Sequence, residues 1–252
     1  MSGILGWFAG MASLLAVAAG GAAAEEATIA VAGNFAGPAQ EIAERYQAVS
    51  GHEIRLSAGA TGALYAQIRK GAPYDAFLAA DRLRPELLVG SGDAVQGSQF
   101  TYAVGRLVLW GRDATLLEGG GEAALRRGAF RHLAIANPKL APYGAAAEQA
   151  LSALGLLDWL SDKLVRGQSI GQAYQFVASG NAALGLVALS QVSENAAGAR
   201  WIVPESLHDP IRQDAVLLRR GADNPAAAGF LMFLRSDDVK TMLDGFGYGA
   251  GS

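Results

Sequence analysis

The 252-residue sequence contains no cysteine, and this absence removes several kinds of chemistry. Disulfide bonds, thiolate metal sites and cysteine nucleophiles are all excluded. The three histidines, His52, His132 and His208, stand far apart and form no His-x-x-x-His or similar spacing. We therefore expect no metal bound directly to the protein, and we interpret the histidines as solvated or capping residues.

An excess of charge of either sign is also missing. Twenty lysines and arginines are scattered against 23 acidic residues, for a formal net charge of −3, which argues against the basic face that a nucleic-acid partner needs. About half of the residues (51%) are apolar, glycine is frequent and aromatics are few, a composition typical of a compact α/β protein. A chain of this length can form one large domain or two modest ones.

Signatures of common enzyme classes are absent as well. The sequence has no Gly-x-Ser-x-Gly motif, and no glycine-rich loop ends in Gly-Lys-Ser or Gly-Lys-Thr. Asp75 and Asp81 flank a predicted strand, but we interpret them as structural and surface residues. The sequence therefore favours a binding protein over an enzyme.

The first 24 residues carry no charged side chain and have an apolar centre at 4–17, followed by small residues up to Ala24. This pattern predicts a secretory signal cleaved after Ala24 and a periplasmic mature chain, although the n-region lacks lysine and arginine. The alternative is a membrane anchor, but the apolar centre is short for a span and contains glycines. No cysteine follows the cleavage point, so a lipid anchor is not expected. No later apolar run is long enough to cross a bilayer, and we expect the mature chain to be soluble.

From Glu25 the chain alternates between short apolar runs and helical spacings. Three strand–helix steps in a row predict a parallel sheet. The strands are predicted at 28–32, 53–58 and 74–80, and the helices at 38–49, 61–70 and 85–89.

The pattern changes at 100–111, a β-type run too long for an average strand and with Gly105 in its middle. Such a strand could leave one domain and enter another. Further strands are predicted at 132–137, 163–166, 183–188, 201–204 and 212–218, and further helices at 143–154, 170–178, 224–234 and 237–246, with a short helix from Ser190. Because the strand at 212–218 follows an independent series, we place it in the first domain. The prediction is a two-lobed α/β fold of mainly parallel sheets, with lobe 1 at 25–103 and 211–252, lobe 2 at 104–210, and a two-strand hinge.

Four turns at the predicted C-terminal ends of strands lead directly into helices. They lie at 33–34, 59–62, 138–144 and 167–171. The start of a helix offers unpaired N–H groups and the positive end of the helix dipole, both suited to an anion. Each turn alone has the ordinary chemistry of a turn and N-cap. Two such turns from each lobe together predict an anion site in a cleft that closes around its ligand.

Five short segments stand in a specific order and spacing, at 31–35, 59–68, 71–81, 141–144 and 184–190. They include Val-Ala-Gly-Asn-Phe at 31–35 and Ala-Pro-Tyr-Gly at 141–144. Over nearly all of 27–247 the chain resembles the periplasmic molybdate-binding proteins of molybdate and tungstate ABC importers, which have the type II periplasmic binding fold. The resemblance implies a monomer without a cofactor that captures molybdate, and with it tungstate, by hinge closure and delivers it to a membrane ABC permease.

The resemblance also implies which residues hold the oxyanion. Asn34 stands where the family has a Ser or Asn donor, and Thr61 where a Ser or Thr gives a hydroxyl and a backbone N–H. Tyr143 and Ile170 match positions that offer backbone N–H groups. Gly33 matches a position that is Thr in some relatives, so here only its amide can serve.

One branch of the family also uses a tyrosine hydroxyl where this chain has Ala188, so that contact is absent. The neutral donor set suits molybdate and tungstate, because these fully deprotonated dianions accept hydrogen bonds and donate none. An amino-acid receptor would need an arginine and an acid, which the four turns do not offer. Sulfate remains an alternative ligand, since it is also an ionised tetrahedral dianion, and a two-lobed enzyme is a second alternative.

Overall fold

The computed structural model describes residues 24–192 and 198–249. The predicted signal segment therefore lies outside the described residues, apart from Ala24. Two five-stranded sheets flanked by helices make up the described chain, which confirms the predicted α/β class. None of the helices within the described ranges combines the length and the hydropathy needed to cross a membrane.

The first sheet has the strand order β2-β1-β3-β10-β4. Its strands are β1 (Glu26–Ala32), β2 (Glu53–Gly59), β3 (Ala76–Leu78), β4 (Phe100–Gly105) and β10 (Ile211–Leu217). Strand β1 pairs in parallel with β2 and β3, whereas β10 is antiparallel to both of its neighbours. Four strands therefore run in one direction and β10 runs in the other.

Helices cover both faces of this sheet. They are α1 (Ala36–Ser50), α2 (Thr61–Arg69), α3 (Leu83–Gly90), α7 (Pro225–Phe233) and α8 (Asp237–Gly245). Successive side chains of a strand point to opposite faces. In β1, Ile29 and Val31 accordingly belong to the core formed with α1, α7 and α8, and Ala30 to the smaller core formed with α2 and α3.

The second sheet has the order β7-β6-β8-β5-β9 and the same plan. Its strands are β5 (Leu107–Gly111), β6 (Leu133–Ala136), β7 (Leu164–Gly167), β8 (Leu184–Ala188) and β9 (Ala199–Ile202), and its helices are α4 (Gly121–Arg127), α5 (Pro142–Ala153) and α6 (Ile170–Ala178). Strand β6 is parallel to β7 and β8, and β5 is antiparallel to β8 and β9. Each sheet thus has one reversed strand.

The chain passes between the sheets at two places. Strand β4 ends at Gly105 and β5 begins at Leu107, so a single residue, Arg106, joins two strands of different sheets. The return runs from β9 to β10 through residues 203–210. The run at 100–111, predicted as one strand, is therefore two strands. A side chain at Gly105 would overlap the hydroxyl of Tyr143, which explains why glycine stands at this break.

Two further features differ from the sequence-based expectation. The third strand is limited to Ala76–Leu78, although its flanking residues still bond to neighbouring strands, with Asp75 N–H donating to Thr28 O and Ala79 N–H to Asp214 O at 2.8 and 2.9 Å. Helix α4 was not predicted at all. It is only seven residues long and begins after Gly119 and Gly120, so the sequence around it is typical of a loop.

Two helix glycines allow a matched test of packing at the strand–helix junctions. Gly144 in the first turn of α5 faces the end of β6, and a Cβ there would overlap the carbonyl of Ala136, whereas nothing lies within 4 Å of a Cβ at Gly37 in the first turn of α1. We expect Gly144→Ala to lower the free energy of unfolding by about 1–3 kcal/mol. Gly37→Ala should leave it unchanged or raise it by up to about 1 kcal/mol. Urea unfolding of both variants checks this. Equal stability of the two variants would contradict close packing between Gly144 and the end of β6.

Candidate functional site

A small cavity lies between the two sheets, where strands from both sides end and helices begin. All five residues predicted as ligand-binding line this cavity, namely Gly33, Asn34, Thr61, Tyr143 and Ile170. Its volume is about 10 Å³ for the centre of a water-sized sphere, which is room for one small group. The structure therefore brings together residues that are up to 137 positions apart in sequence (from 33 to 170).

The wall of the cavity is electrically neutral. The remaining lining residues are Ala32, Gly59, Ala60, Ala80, Ala141 and Pro142. None of the described residues that line it carries a charged side chain. An ion inside it can therefore be stabilised only by N–H and O–H groups and by the dipoles of helices.

The first sheet contributes two helix starts. Strand β1 ends at Ala32, and a 3₁₀ turn over Gly33–Phe35 leads into α1. Helix α2 begins at Thr61, which is 1% exposed, and Thr61 Oγ1 accepts the N–H of Ala80 at 3.2 Å. Because this contact uses only a lone pair of the hydroxyl, Thr61 keeps its hydroxyl hydrogen for a ligand.

The second sheet contributes the starts of α5 and α6. Pro142 at the first position of α5 has no N–H, so the N–H of Tyr143 is the first donor of that helix. Ser169 caps α6, and its Oγ accepts the N–H of Gln172 at 3.2 Å. Ile170 is the first residue of α6, so its N–H has no partner within the helix. The positive ends of both helix dipoles thus lie at the cavity.

The side chain of Asn34 makes contacts that sequence reasoning did not anticipate. Its Nδ2 donates to Gln213 Oε1 at 2.8 Å and to the hydroxyl of Tyr248 at 3.1 Å, which uses both amide hydrogens. Its Oδ1 is buried and has no hydrogen-bond partner among the described residues. In this arrangement the backbone N–H of Asn34, and not its side chain, is the donor left for a ligand.

Behind Asn34 lies a network of neutral side chains that the sequence-based prediction missed. The hydroxyl of Tyr102 donates to Ala79 O at 3.1 Å and lies 3.2 Å from Gln213 Oε1. The hydroxyl of Tyr248 lies 3.0 Å from Asn34 O and 2.9 Å from Ser190 Oγ. The sequence carries no signal that singles out Gln213, because it stands between the polar residues Arg212 and Asp214, and only the structure shows that it is fully buried.

Several hydrogen bonds join the two halves of the molecule around the cavity. The N–H of Gly62 donates to Leu140 O at 2.8 Å, and the guanidinium of Arg84 donates to Lys139 O at 3.3 Å. On the other side Ser190 Oγ donates to Asn34 O at 2.9 Å. These bonds connect elements of different sheets, so the structure describes a closed cleft.

The two aspartates that the sequence analysis interpreted as structural and surface residues, Asp75 and Asp81, lie outside the cavity. Asp75 accepts the N–H of Thr28 at 2.8 Å and forms an ion pair with Arg220, and Asp81 forms an ion pair with Arg84. Neither lines the small cavity. Within the described ranges no group of three His, Asp or Glu side chains is arranged to hold a metal ion.

Comparisons with known proteins identify a family. The model of bacterial extracellular solute-binding proteins matches residues 27–249. A molybdate-binding protein (ModA) of Azotobacter vinelandii is 50% identical over 241 residues, which are 94% of each chain. A molybdate-binding protein (ModA) of Rhodobacter capsulatus is 47% identical over 227 residues, 90% of this chain and 89% of the relative.

The fold is similar to that of a solved structure as well. The periplasmic molybdate-binding protein of Azotobacter vinelandii superposes with a TM-score of 0.86 at 38% sequence identity, covering 90% of this chain and all of that chain. This likeness confirms the two-sheet α/β architecture.

The buried tyrosines behind the site predict a response to alkaline pH. Burial raises the pKa of Tyr102, Tyr143 and Tyr248, so they keep their protons in the folded state. In the unfolded state tyrosines lose their protons near pH 10, so folding stability is complete below about pH 10 and falls as the pH rises above it.

The measurement is tyrosinate absorbance during an alkaline titration, in native protein and in denaturant. In denaturant all seven tyrosines should ionise, and in the native protein at least three should resist until unfolding. Reversible ionisation of all seven with unchanged circular dichroism would contradict the prediction.

Proposed function

Because this chain belongs to the bacterial extracellular solute-binding proteins, we propose that it captures molybdate or tungstate outside the cytoplasm and delivers the anion to a membrane ABC permease. Two relatives at 50% and 47% identity, each aligned over 90% or more of this chain, bear the name of molybdate-binding proteins, which supports this ligand. The observation that carries the proposal is the uncharged cavity at which helix starts from both sheets meet.

The donors proposed for the oxyanion are the backbone N–H groups of Gly33, Asn34, Thr61, Tyr143 and Ile170, together with the Thr61 hydroxyl. All of them donate, which matches an anion that only accepts hydrogen bonds. The missing counter-charge is replaced by helix termini, since the N-terminus of a helix carries roughly half of an elementary positive charge. The protein makes no bond to the metal atom and needs no cofactor in this proposal.

We further propose that residues 25–103 with 211–252 and residues 104–210 move as two lobes. Two crossings of the chain are the only covalent links between the sheets of the described structure, which supports a hinge at Arg106 and in residues 203–210. Opening would break the bonds from Gly62 to Leu140 and from Ser190 to Asn34 and would separate the two halves of the donor set. Only the closed form would then hold the anion, and the permease would distinguish it from the open form.

Export is part of the same proposal. Residues 1–24 act as a secretory signal that is removed after Ala24, and the mature chain is a periplasmic monomer. The apolar centre and the small residues before Glu25 support this reading.

Sulfate is the alternative ligand with the most similar chemistry, because its charge and shape match those of molybdate and its size is smaller. An enzymatic role would need an acid or base within hydrogen-bond reach of the ligand. The described residues lining the cavity include neither, so binding without chemistry is favoured.

Calorimetry with three anions tests the ligand. We expect ligand-stripped mature protein to bind molybdate and tungstate tightly and sulfate at least about 100-fold more weakly, a difference of about 2.7 kcal/mol. The physical reason is that the donors are fixed by the starts of the helices. In the closed form they are spaced for an ion of one size, and sulfate is smaller than molybdate. Equal affinity for sulfate would contradict the molybdate proposal.

A single substitution tests the neutrality of the wall. Asn34→Asp places a carboxylate in the buried wall beside the dianion, and we expect molybdate affinity to fall by about 100-fold or more. Thermal unfolding of the ligand-free variant serves as the control and should show a folded, cooperative protein. Molybdate binding within a few-fold of the parent would show that Asn34 is only a turn residue.

A further inference from the structure

The amide of Asn34 leaves one buried polar atom without a partner. Asn34 is 2% exposed and lines the cavity, and its Oδ1 has no hydrogen bond within the described part of the chain. An unpaired buried acceptor is costly, and such atoms in native proteins usually point to an unassigned partner. An oxyanion cannot be that partner for Oδ1, because an oxyanion has no hydrogen to donate.

Gln213 makes a second arrangement possible. As described, Gln213 Oε1 accepts from Asn34 Nδ2 at 2.8 Å, and Gln213 Nε2 lies 3.4 Å from the hydroxyl of Tyr143. If both amides turn by half a rotation, Gln213 Nε2 donates to Asn34 Oδ1 and the Tyr143 hydroxyl donates to Gln213 Oε1. Tyr102 then accepts from Gln213 Nε2 while it donates to Ala79 O. Each contact of Gln213 keeps one donor and one acceptor, because amide and hydroxyl groups can serve as both. The Tyr248 hydroxyl, which accepts from Asn34 Nδ2 as described, then donates to Asn34 Oδ1, and Asn34 O keeps its bond from Ser190 Oγ.

Asn34 lines the cavity and its Nδ2 is directed at Gln213 and Tyr248, so we infer that the unpaired Oδ1 is the amide atom on the cavity side. In the second arrangement, the Asn34 Nδ2 takes the position of the unpaired oxygen, so a donor replaces an acceptor there. A deprotonated dianion is stabilised by this exchange and repelled without it. The orientation of one amide thus decides whether the Asn34 side chain adds to the neutral donor set or opposes it.

We propose that Gln213 is a positioning residue of the anion site, which holds the Asn34 amide with its NH₂ group toward the bound oxyanion. The inference rests on the proposed function. Gln213 lies on β10 and contacts Asn34 of the first half and Tyr143 of the second. Gly105 permits this approach, since a Cβ there would lie 2.7 Å from Gln213 Nε2. The amide is therefore held from both halves only when the cleft is closed.

A double-mutant cycle on the full mature chain tests the proposal, with molybdate affinity measured by calorimetry. Gln213→Met keeps the length of the side chain and removes both polar atoms, and we expect it to weaken molybdate binding by about 10- to 100-fold. In an Asn34→Ser background, which keeps a neutral donor but cannot reach Gln213, the same change should weaken binding by less than about twofold. Equal losses in both backgrounds would assign Gln213 a merely structural role and overturn the proposal.

NMR spectroscopy can monitor the side-chain amide of Asn34 directly. The side-chain NH₂ resonances of Asn34, assigned by their loss in Asn34→Ser, should shift when molybdate is added to the parent protein and should shift little in Gln213→Met. If Gln213→Met does not fold, Gln213→Glu replaces it, because a carboxylate can only accept and so holds the Asn34 NH₂ group away from the anion. Unchanged molybdate affinity in the Glu variant would also overturn the proposal.

A matched control uses another glutamine paired with a tyrosine. Gln67 Oε1 accepts from the Tyr74 hydroxyl at 2.8 Å on the exposed surface, and Gln67→Met should leave molybdate affinity unchanged. If the parent protein and Gln213→Met bind molybdate equally well, this inference alone is overturned. If the parent protein binds none of molybdate, tungstate and sulfate, the proposed function is overturned and this inference with it.

Discussion

A cavity without a charged wall can stabilise an ion only with dipoles that already point at it. Solvent reorganises around an ion, but backbone N–H groups at helix starts are fixed by the fold and need no reorganisation. The constraint is geometric, since each donor must arrive from a different element. Helix α2 from one sheet and helices α5 and α6 from the other begin at this single cavity, and the 3₁₀ turn before α1 joins them.

Close packing at the strand ends makes this convergence possible. The backbone around Gly144 lies against the carbonyl of Ala136, and that around Gly167 lies against α6, leaving no space for a side chain at either position. The helix starts are thereby held against the ends of β6 and β7. The neutral network behind Asn34 supports the other side, and raised tyrosine pKa values keep its hydroxyl groups protonated. In the proposed function, movement is confined to the two crossings of the chain between the sheets.

Much of this arrangement could be predicted from sequence, because the strongest signals are local. Glycine and proline at strand ends, followed at once by helical spacing, predicted the four turns. The family resemblance implied the individual residues within them, and the structure places all five at one cavity. The network around Gln213 could not be predicted in the same way. Its members Asn34, Tyr102 and Tyr248 are far apart in sequence, and their contacts depend on how the last strand inserts into the first sheet. The role of the five residues in binding remains a prediction.

The position of β10 has a consequence for the order in which the molecule can form. This strand lies between β3 and β4, so β4 has no partner strand in its sheet until residue 211 and those after it are present. The first sheet therefore cannot be completed by a nascent chain that still lacks its last sixth. This sheet gains its native pairing only after nearly all of the chain has been synthesised, because β10 joins strands that lie far from it in sequence.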